Sequence, residues 1–302
     1  MHSGPHPAER PNMTGYRMDR TLTLGAVELT VADLERSLRY YTHIAGFQLL
    51  HREAQRAQLG VESTVLVDLR EVPGAVAPPP SSPGLSHLAP QVPTRADVAR
   101  FTRRHLDAGL DVDLHDHVVS QSCYATDPDG HTIEATWVCP RDDWQWTDEG
   151  LPVVVATPIE LQDLLDEPGA STPARLPAAT ELGHVQLKVT DTALTHTKRF
   201  YRDVLGLEIY ARLGEKFLGF GVADYRSLLV VTNRFSPQGG TPAGPETARL
   251  LGVGVRLGTA EAIEALAAHL AEADHPHQRE GDSLTVQDPS GNTLRFFARE
   301  AR

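Results

Sequence analysis

The sequence predicts an α+β fold of four βαβββ modules, two in each of two tandem domains. Three observations carry this. The first is a duplication: Gly25-Ala-Val-Glu-Leu-Thr-Val-Ala-Asp33 matches Gly183-His-Val-Gln-Leu-Lys-Val-Thr-Asp191, and Asp127-Pro-Asp-Gly-His-Thr-Ile-Glu134 matches Asp288-Pro-Ser-Gly-Asn-Thr-Leu-Arg295. The two offsets, 158 and 161, nearly agree, as they do when one domain has been copied. The second is that a strand-then-helix pattern restarts inside each copy, giving module starts near residues 24, 85, 182 and 250. The third is size: 302 residues at 40 % apolar content suit about two globular domains.

The elements follow in order. Residues 1–20, with Pro5, Pro7 and Pro11, read as a loose arm without an apolar run, so not as an export signal. Leu24–Val31 alternates as a strand, and Asp33 is a suitable N-cap for a helix to about His43. Strands near 47–53 and 64–70 complete the first module. Pro78-Pro-Pro-Ser-Ser-Pro-Gly84 is a stiff connector. A strand then spans Leu85–Val92, a helix capped by Thr94 spans Arg95–Ala108, and two strands flank the turn Asp127–Gly130. The first domain is thus expected over 21–139. A non-repeated connector over 140–180, with Trp144, Trp146 and a short helix at Ile159–Leu165, is expected to pack on the surface. The second domain, 181–302, repeats the plan, with a strand at Leu250–Leu257 and an amphipathic helix from Ala260 to about Ala271. Its polar face carries Glu rather than Lys or Arg, which speaks against a membrane role.

Composition narrows the function. Twenty-eight basic against 40 acidic residues give a formal net charge of −12, so nucleic acid is not an expected partner. No apolar run approaches the roughly 20 residues of a membrane span, and a cytoplasmic protein is expected. Cys123 and Cys139 form no Cys-x-x-Cys, which predicts two reduced thiols rather than a disulfide or thiolate zinc site.

The Gly-x-Val-x-Leu-x-Val-x-Asp start, the Tyr-Tyr or Phe-Tyr helix end before Gly46-Phe47 or Gly206-Leu207, and the Asp-Pro-Asp/Ser-Gly close resemble the vicinal oxygen chelate superfamily. That superfamily contains glyoxalase I, bleomycin-resistance proteins and extradiol dioxygenases. The resemblance covers about residues 22–138 and 182–298, and its tandem form is most similar to the catechol 2,3-dioxygenase-like branch. It implies that paired modules curl into two half-open barrels, with metal ligands on the first and last strands of a module. The family's first-strand position maps onto Ala26, His87, His184 and Val253. Its last-strand carboxylate maps onto Asp68, Glu134 and Arg295, and onto nothing in Leu228-Leu-Val-Val-Thr-Asn233. A facial triad of two imidazoles and one carboxylate is then His87, Glu134 and His184. It requires modules two and three to share one barrel and modules one and four the other. An alternative triad replaces His184 by Glu28. Each histidine taken singly also reads as an ordinary strand residue, whereas Glu134, on the apolar strand Ile133–Val138, is costly to bury without a cation.

Tyr124 falls opposite Glu134 if the Asp127 turn closes a hairpin. Asp116-His117-Val-Val-Ser120 resembles the segment ahead of the catalytic tyrosine in extradiol dioxygenases, so Tyr124 and His117 are candidate catalytic residues; a core tyrosine and a loop histidine are the plain alternatives. Their counterparts in module four are expected at Gln278 and Thr285. The sequence departs from the family at Tyr225-Arg-Ser-Leu228, where an acid–base histidine is usual. Arg226 cannot shuttle a proton near neutral pH, and His196 or His131 is a possible substitute. The function implied first is extradiol cleavage of a catechol-type aromatic with O2 at one divalent metal, Fe(II) first and Mn, Ni or Zn next. A glyoxalase-like metal-dependent lyase or isomerase and a metal-free small-molecule binder stay open. A fused tandem chain can work as a monomer or a homo-oligomer.

Overall fold

The computed structural model describes residues 15–171, 175–192, 194–223, 226, 228–234 and 240–299. Most of the expected arm, together with Tyr225 and Ser227, lies outside them. Module one comprises β1 (Thr23–Val31), α1 (Leu34–Arg39), β2 (Gln48–Arg52), β3 (Arg56–Val61) and β4 (Thr64–Glu71). Module two comprises β5 (Gly84–Gln91), α2 (Arg95–Asp107), β6 (Asp113–Asp116), β7 (Ser120–Thr126) and β8 (Thr132–Val138). The connector carries β9 (Thr157–Pro158) and α3 (Leu161–Leu165). Module three comprises β10 (Glu181–Lys188), α4 (Thr195–Lys198), β11 (Glu208–Arg212), β12 (Phe217–Gly221) and β13 (Leu229–Thr232). Module four comprises β14 (Leu250–Leu257), α5 (Ala260–Glu272), β15 (His277–Glu280), β16 (Ser283–Gln287) and β17 (Thr293–Ala298).

The helices start where their caps dictate. Asp33 accepts the Arg36 N–H, and Thr94 and Asp97 form a reciprocal capping box at α2. The helix expected to run to His43 instead widens into a π-helical turn over Tyr40–Ala45, closed by Gly46 at φ 88°. The same widening recurs over Arg199–Val204. In both copies it carries a fully buried tyrosine whose hydroxyl donates to the aspartate of the Asp-Pro turn: Tyr41 to Asp127 Oδ2 and Tyr201 to Asp288 Oδ2, each at 3.1 Å. A π-turn shifts the side-chain register by about one residue.

Two curled sheets result. Modules two and three, together with β9 of the connector, form a nine-stranded sheet in the order β11-β12-β13-β10-β5-β8-β7-β6-β9, and modules one and four form an eight-stranded sheet in the order β15-β16-β17-β14-β1-β4-β3-β2. Each sheet is thus assembled from one module of each sequence half, joined across the antiparallel pairs β5–β10 and β1–β14. Alternate residues of the first strands, including Val27, Leu29, Val185 and Leu187, are buried in a core shared with Phe47, Phe101, Phe220 and Phe296. Burying each such side chain stabilises the fold by roughly 1.5–3 kcal/mol.

The repeated Asp-Pro turns fasten one sheet to the other. Asp129 accepts from the Ala32 N–H, Arg36 and the Ser37 hydroxyl, while His131 Nε2 donates to the Thr30 carbonyl. In the second copy Ser290 accepts the Thr190 N–H and Asn292 donates to the Lys188 carbonyl. The most visible motif of the sequence is therefore scaffolding.

Two expectations need correction. Residues 15–20 are packed rather than loose: Met18 is buried, its N–H bonds the Gly206 carbonyl, and Tyr16 stacks on His269. The connector is also more than surface packing, because β9 pairs with β6 and extends the nine-stranded sheet.

Candidate metal centre

Strand register explains how distant residues converge. In β10, His184, Gln186 and Lys188 face away from the core into which Val185 and Leu187 point. Antiparallel pairing sets His184 opposite Ala89, which makes His87 its diagonal neighbour on the same face. On the other side of β5, the parallel strand β8 aligns Leu88 with Ile133 and so brings Glu134 to that face. The result is one tight cluster: His87 Nε2 lies 2.9 Å from Glu134 Oε2, His184 Nε2 lies 3.1 Å from it, and the two Nε2 atoms are 3.1 Å apart.

The two contacts to Glu134 are poor hydrogen bonds. Glu134 Oε2 is buried yet lacks any hydrogen-bond partner of acceptable geometry, although two imidazole nitrogens stand within 3.1 Å of it. Lone pairs converging on one point leave an acceptor orphaned until a cation takes that point. Two donors each about 2.1 Å from one ion lie about 3.0 Å apart at a right angle and about 3.4 Å apart at the tetrahedral angle. The observed spacings fit three adjacent corners of an octahedron, so His87, Glu134 and His184 can hold a divalent ion and leave three positions open. Protonation states agree with this. Burial drives His87 below its ordinary range, toward the neutral form a ligand needs, and Glu134, which burial alone would push up, is drawn well below its usual range, chiefly by His184.

The cluster opens into a cavity of about 720 Å³. Tyr124 pairs directly with Glu134 across the β7–β8 ladder, as the sequence predicts. Its hydroxyl is 2.9 Å from His117 Nε2, and His117 Nδ1 bonds the Val155 carbonyl. A carbonyl only accepts, so Nδ1 carries a proton, and in the neutral imidazole Nε2 accepts from Tyr124. Burial and then Glu134 hold the Tyr124 phenol far above its ordinary range, hence neutral. His117 precedes Val118, a β-branched residue at φ 71°, whose N–H is held by Asp116 Oδ1. Such a conformation costs of order 1–3 kcal/mol, and here it turns the chain between β6 and β7 right beside His117.

Other expectations fare differently. Glu28 lies on the eight-stranded sheet, 3.2 Å from both Arg70 and Arg295, and takes no part in the cluster. By ladder register the counterpart of His87 in module four is Gly252, not Val253, since Leu88–Ile133 corresponds to Val253–Leu294. The one-residue difference puts Val253 in the core. At the equivalent points of the eight-stranded sheet stand Ala26, Gly252, Arg295 and Asp68, and Asp68 is clamped by Arg56 at 2.6 Å. Gln278 is the counterpart of Asp113, not of His117: Asp113 faces Tyr124 across eleven positions, Gln278 faces Thr285 across seven, and the shorter hairpin of module four lacks the His117 segment. Neither proposed substitute histidine reaches the cavity, as His131 is buried against Thr30 and His196 is exposed on α4.

Three contributors were not singled out from the sequence. His115, two positions before His117, lines the cavity with its ring 5.6 Å from that of Tyr124. The connector supplies Trp144 and Val154–Ala156 to the wall. Val230 lines the cavity at the position of module three that corresponds to Glu134. Of the three, His115 alone left a signal, in the His-x-His spacing.

Comparison with known proteins agrees with this architecture. The model of the Glyoxalase/Bleomycin resistance protein/Dioxygenase superfamily matches residues 23–135. A Bacillus subtilis (strain 168) protein named catechol-2,3-dioxygenase is 33 % identical over 279 residues, covering 90 % of this chain and 96 % of that protein. Among solved structures, a protein of Bacillus subtilis subsp. subtilis str. 168 assigned as a dioxygenase superposes with a TM-score of 0.64 at 12 % identity, covering 95 % of this chain and 87 % of the other. Glyoxalase I from Zea mays superposes with a TM-score of 0.57 at 19 % identity, covering 91 % and 92 %. At those identities the two structures establish the fold alone. With the 33 % relative matched over nearly its whole length, the chain belongs to the glyoxalase/bleomycin resistance protein/dioxygenase superfamily.

Proposed function

We propose that this protein is a metal-dependent extradiol dioxygenase that cleaves a catechol-type aromatic ring with O2, using Fe(II) held by His87, Glu134 and His184. The observation that carries the reading is the facial spacing of these three donors, 2.9–3.1 Å apart, beside a neutral tyrosine hydrogen-bonded to an imidazole. Two neutral imidazoles with one carboxylate suit a first-row divalent metal with several open positions. When bound, Fe(II) supplies Lewis acidity toward both ring hydroxyls and the electron that activates O2.

The chain's own groups do the rest. Tyr124 donates to His117 Nε2, so its oxygen is free to accept from a ring hydroxyl in the cavity. A proton then passes from substrate to Tyr124 oxygen while the phenolic proton moves to His117 Nε2, and the tyrosine never ionises. The backbone carbonyl of Val155, bonded to Nδ1, stabilises the imidazolium that forms. This pair supplies the acid–base capacity missing at Arg226, which is engaged with Glu181. The apolar wall, with Val119, Val138, Trp144 and Pro152, limits water around the reacting ring.

A glyoxalase-like lyase wants a fourth protein ligand, a carboxylate from the other module, and Val230 occupies that place. The test is oxygen consumption by Fe(II)-loaded protein across a panel of catechols. Stoichiometric oxygen uptake with a yellow ring-opened product supports the reading. Turnover of a carbonyl–thiol adduct, with every catechol left intact, overturns it.

A further inference from the structure

The cavity is charged against the trend of the chain. The protein carries a formal net charge of −12. Yet Glu134 is the one carboxylate among the described lining residues, while Lys188, Arg226 and Arg234 also line the cavity. Arg226 is spoken for by Glu181. Lys188 is not: among the described residues no ion pair or hydrogen bond engages its ammonium group.

Its position is well defined. Lys188 ends β10 on the face that carries His184 and Gln186, and it pairs with Gly84 of β5 and Thr232 of β13. A rise of about 3.3 Å per residue sets its Cα about 13 Å along the strand from that of His184. The cavity therefore runs from the metal cluster past Gln186 to a cationic end. At the opposite end Val138 and Trp144 form the wall, and the cation there, Arg226, is already neutralised by Glu181. Burial pulls the Lys188 ammonium below its ordinary range, with no carboxylate to offset it. A desolvated cation without a partner is costly unless a ligand brings the counter-charge.

Resting on the ring-cleavage reading above, we propose that Lys188 is a specificity-determining residue, and that the substrate is a catechol bearing a carboxylate on a short flexible arm para or meta to a ring hydroxyl. The ring oxygens sit at the His87–Glu134–His184 cluster and the arm lies along β10 past Gln186. Its carboxylate accepts a charge-assisted hydrogen bond from the Lys188 ammonium. A neutral alkylcatechol of equal length fills the same space and leaves Lys188 unpaired.

The experiment compares dihydrocaffeate with its neutral primary amide. Binding is read by calorimetry on the metal-loaded protein under argon, so that no turnover intervenes, and kcat/KM for both is then read in air. The acid is expected to bind and react about 10- to 150-fold better than the amide, the range for a hydrogen bond to a charged group. Lys188→Met abolishes the preference of acid over amide, and Lys188→Arg retains it. Equal handling of acid and amide by the native protein, or a preference that survives in Lys188→Met, overturns the proposal while the ring-cleavage reading stands. If neither compound binds or reacts while another catechol is cleaved, the proposal is overturned and the ring-cleavage reading stands; if no catechol is cleaved, the ring-cleavage reading fails and this proposal falls with it.

Discussion

Replacing Tyr41 by Phe should cost more stability than replacing Tyr201 by Phe, although the two tyrosines occupy the same place in the duplicated fold. Both are fully buried, and both donate at 3.1 Å to the Oδ2 of an Asp-Pro turn. The difference lies in what else reaches that oxygen. In each aspartate Oδ1 takes two backbone N–H groups, from Asp129 and His131 or from Ser290 and Asn292. Asp127 Oδ2 has Tyr41 as its one hydrogen-bond donor among the described residues, whereas Asp288 Oδ2 also accepts from Asn292 Nδ2 at 2.9 Å. Tyr41→Phe thus leaves a buried carboxylate oxygen bare, a loss of about 2–3 kcal/mol, while Tyr201→Phe removes one of two donors, a loss of about 1 kcal/mol. An unfolding entropy of ~2.1 cal/mol/K per residue over this chain makes each kcal/mol worth about 1.6 °C in Tm. The expected falls are therefore about 3–5 °C and about 1–2 °C by calorimetry. A Tyr201→Phe protein that melts as low as Tyr41→Phe would show that donor count at Oδ2 does not set the cost.

Further outcomes follow from the cavity and the core. Glu134→Gln removes the anionic donor of the cluster and should lower metal content, read by elemental analysis after anaerobic loading, to well under half of the native level; full retention would remove Glu134 from the ligand set. Tyr124→Phe should keep the metal and slow kcat about 10- to 150-fold, the range for one lost hydrogen bond to a charged group in the transition state; an unchanged kcat would dismiss the proton relay. Buried His105, whose Nε2 meets the Tyr40 hydroxyl at 3.0 Å, is pushed by burial to about 4. Its folded form therefore resists protonation while the unfolded form takes a proton below about 6.5. Its contribution is intact above that pH and declines by about 3 kcal/mol as pH falls to 4. His105→Gln should flatten this part of the stability profile in urea titrations between pH 7 and pH 4, and an unaltered slope would contradict the assignment.

The duplicated motifs made the modules legible, and the surviving ligands made their exchange between sheets legible. Only one pairing could unite His87 and Glu134 with His184, and β5–β10 is that pairing. Tyr124 followed from antiparallel counting through a four-residue turn. Counting failed where the chain changed length or winding. The offset of 161 carried across the β15–β16 hairpin matched His117 to Gln278, because nothing local reveals that this hairpin is four residues shorter than its partner. The π-turns at Tyr40 and Arg199 were equally silent, since their sequences keep helical periodicity. The wall formed by Trp144 and Val155 belongs to a segment without a repeat, and its position depends on the β6–β9 pairing, a tertiary event. Lys188 stood in the aligned motif, but its want of a counter-ion is a property of the assembled cavity.

The exchange of modules between sheets also has a consequence in time. Ninety-seven residues separate Gln91 at the end of β5 from Lys188 at the end of β10. At ribosomal speeds of 5–20 residues per second, the β5 edge waits about 5–20 s for its partner strand, and β1 waits longer for β14. During that interval the nascent first half exposes two unpaired strand edges side by side, the kind of surface on which other chains assemble. A gene cut at the connector would make this interval permanent, and each half would carry an incomplete donor set.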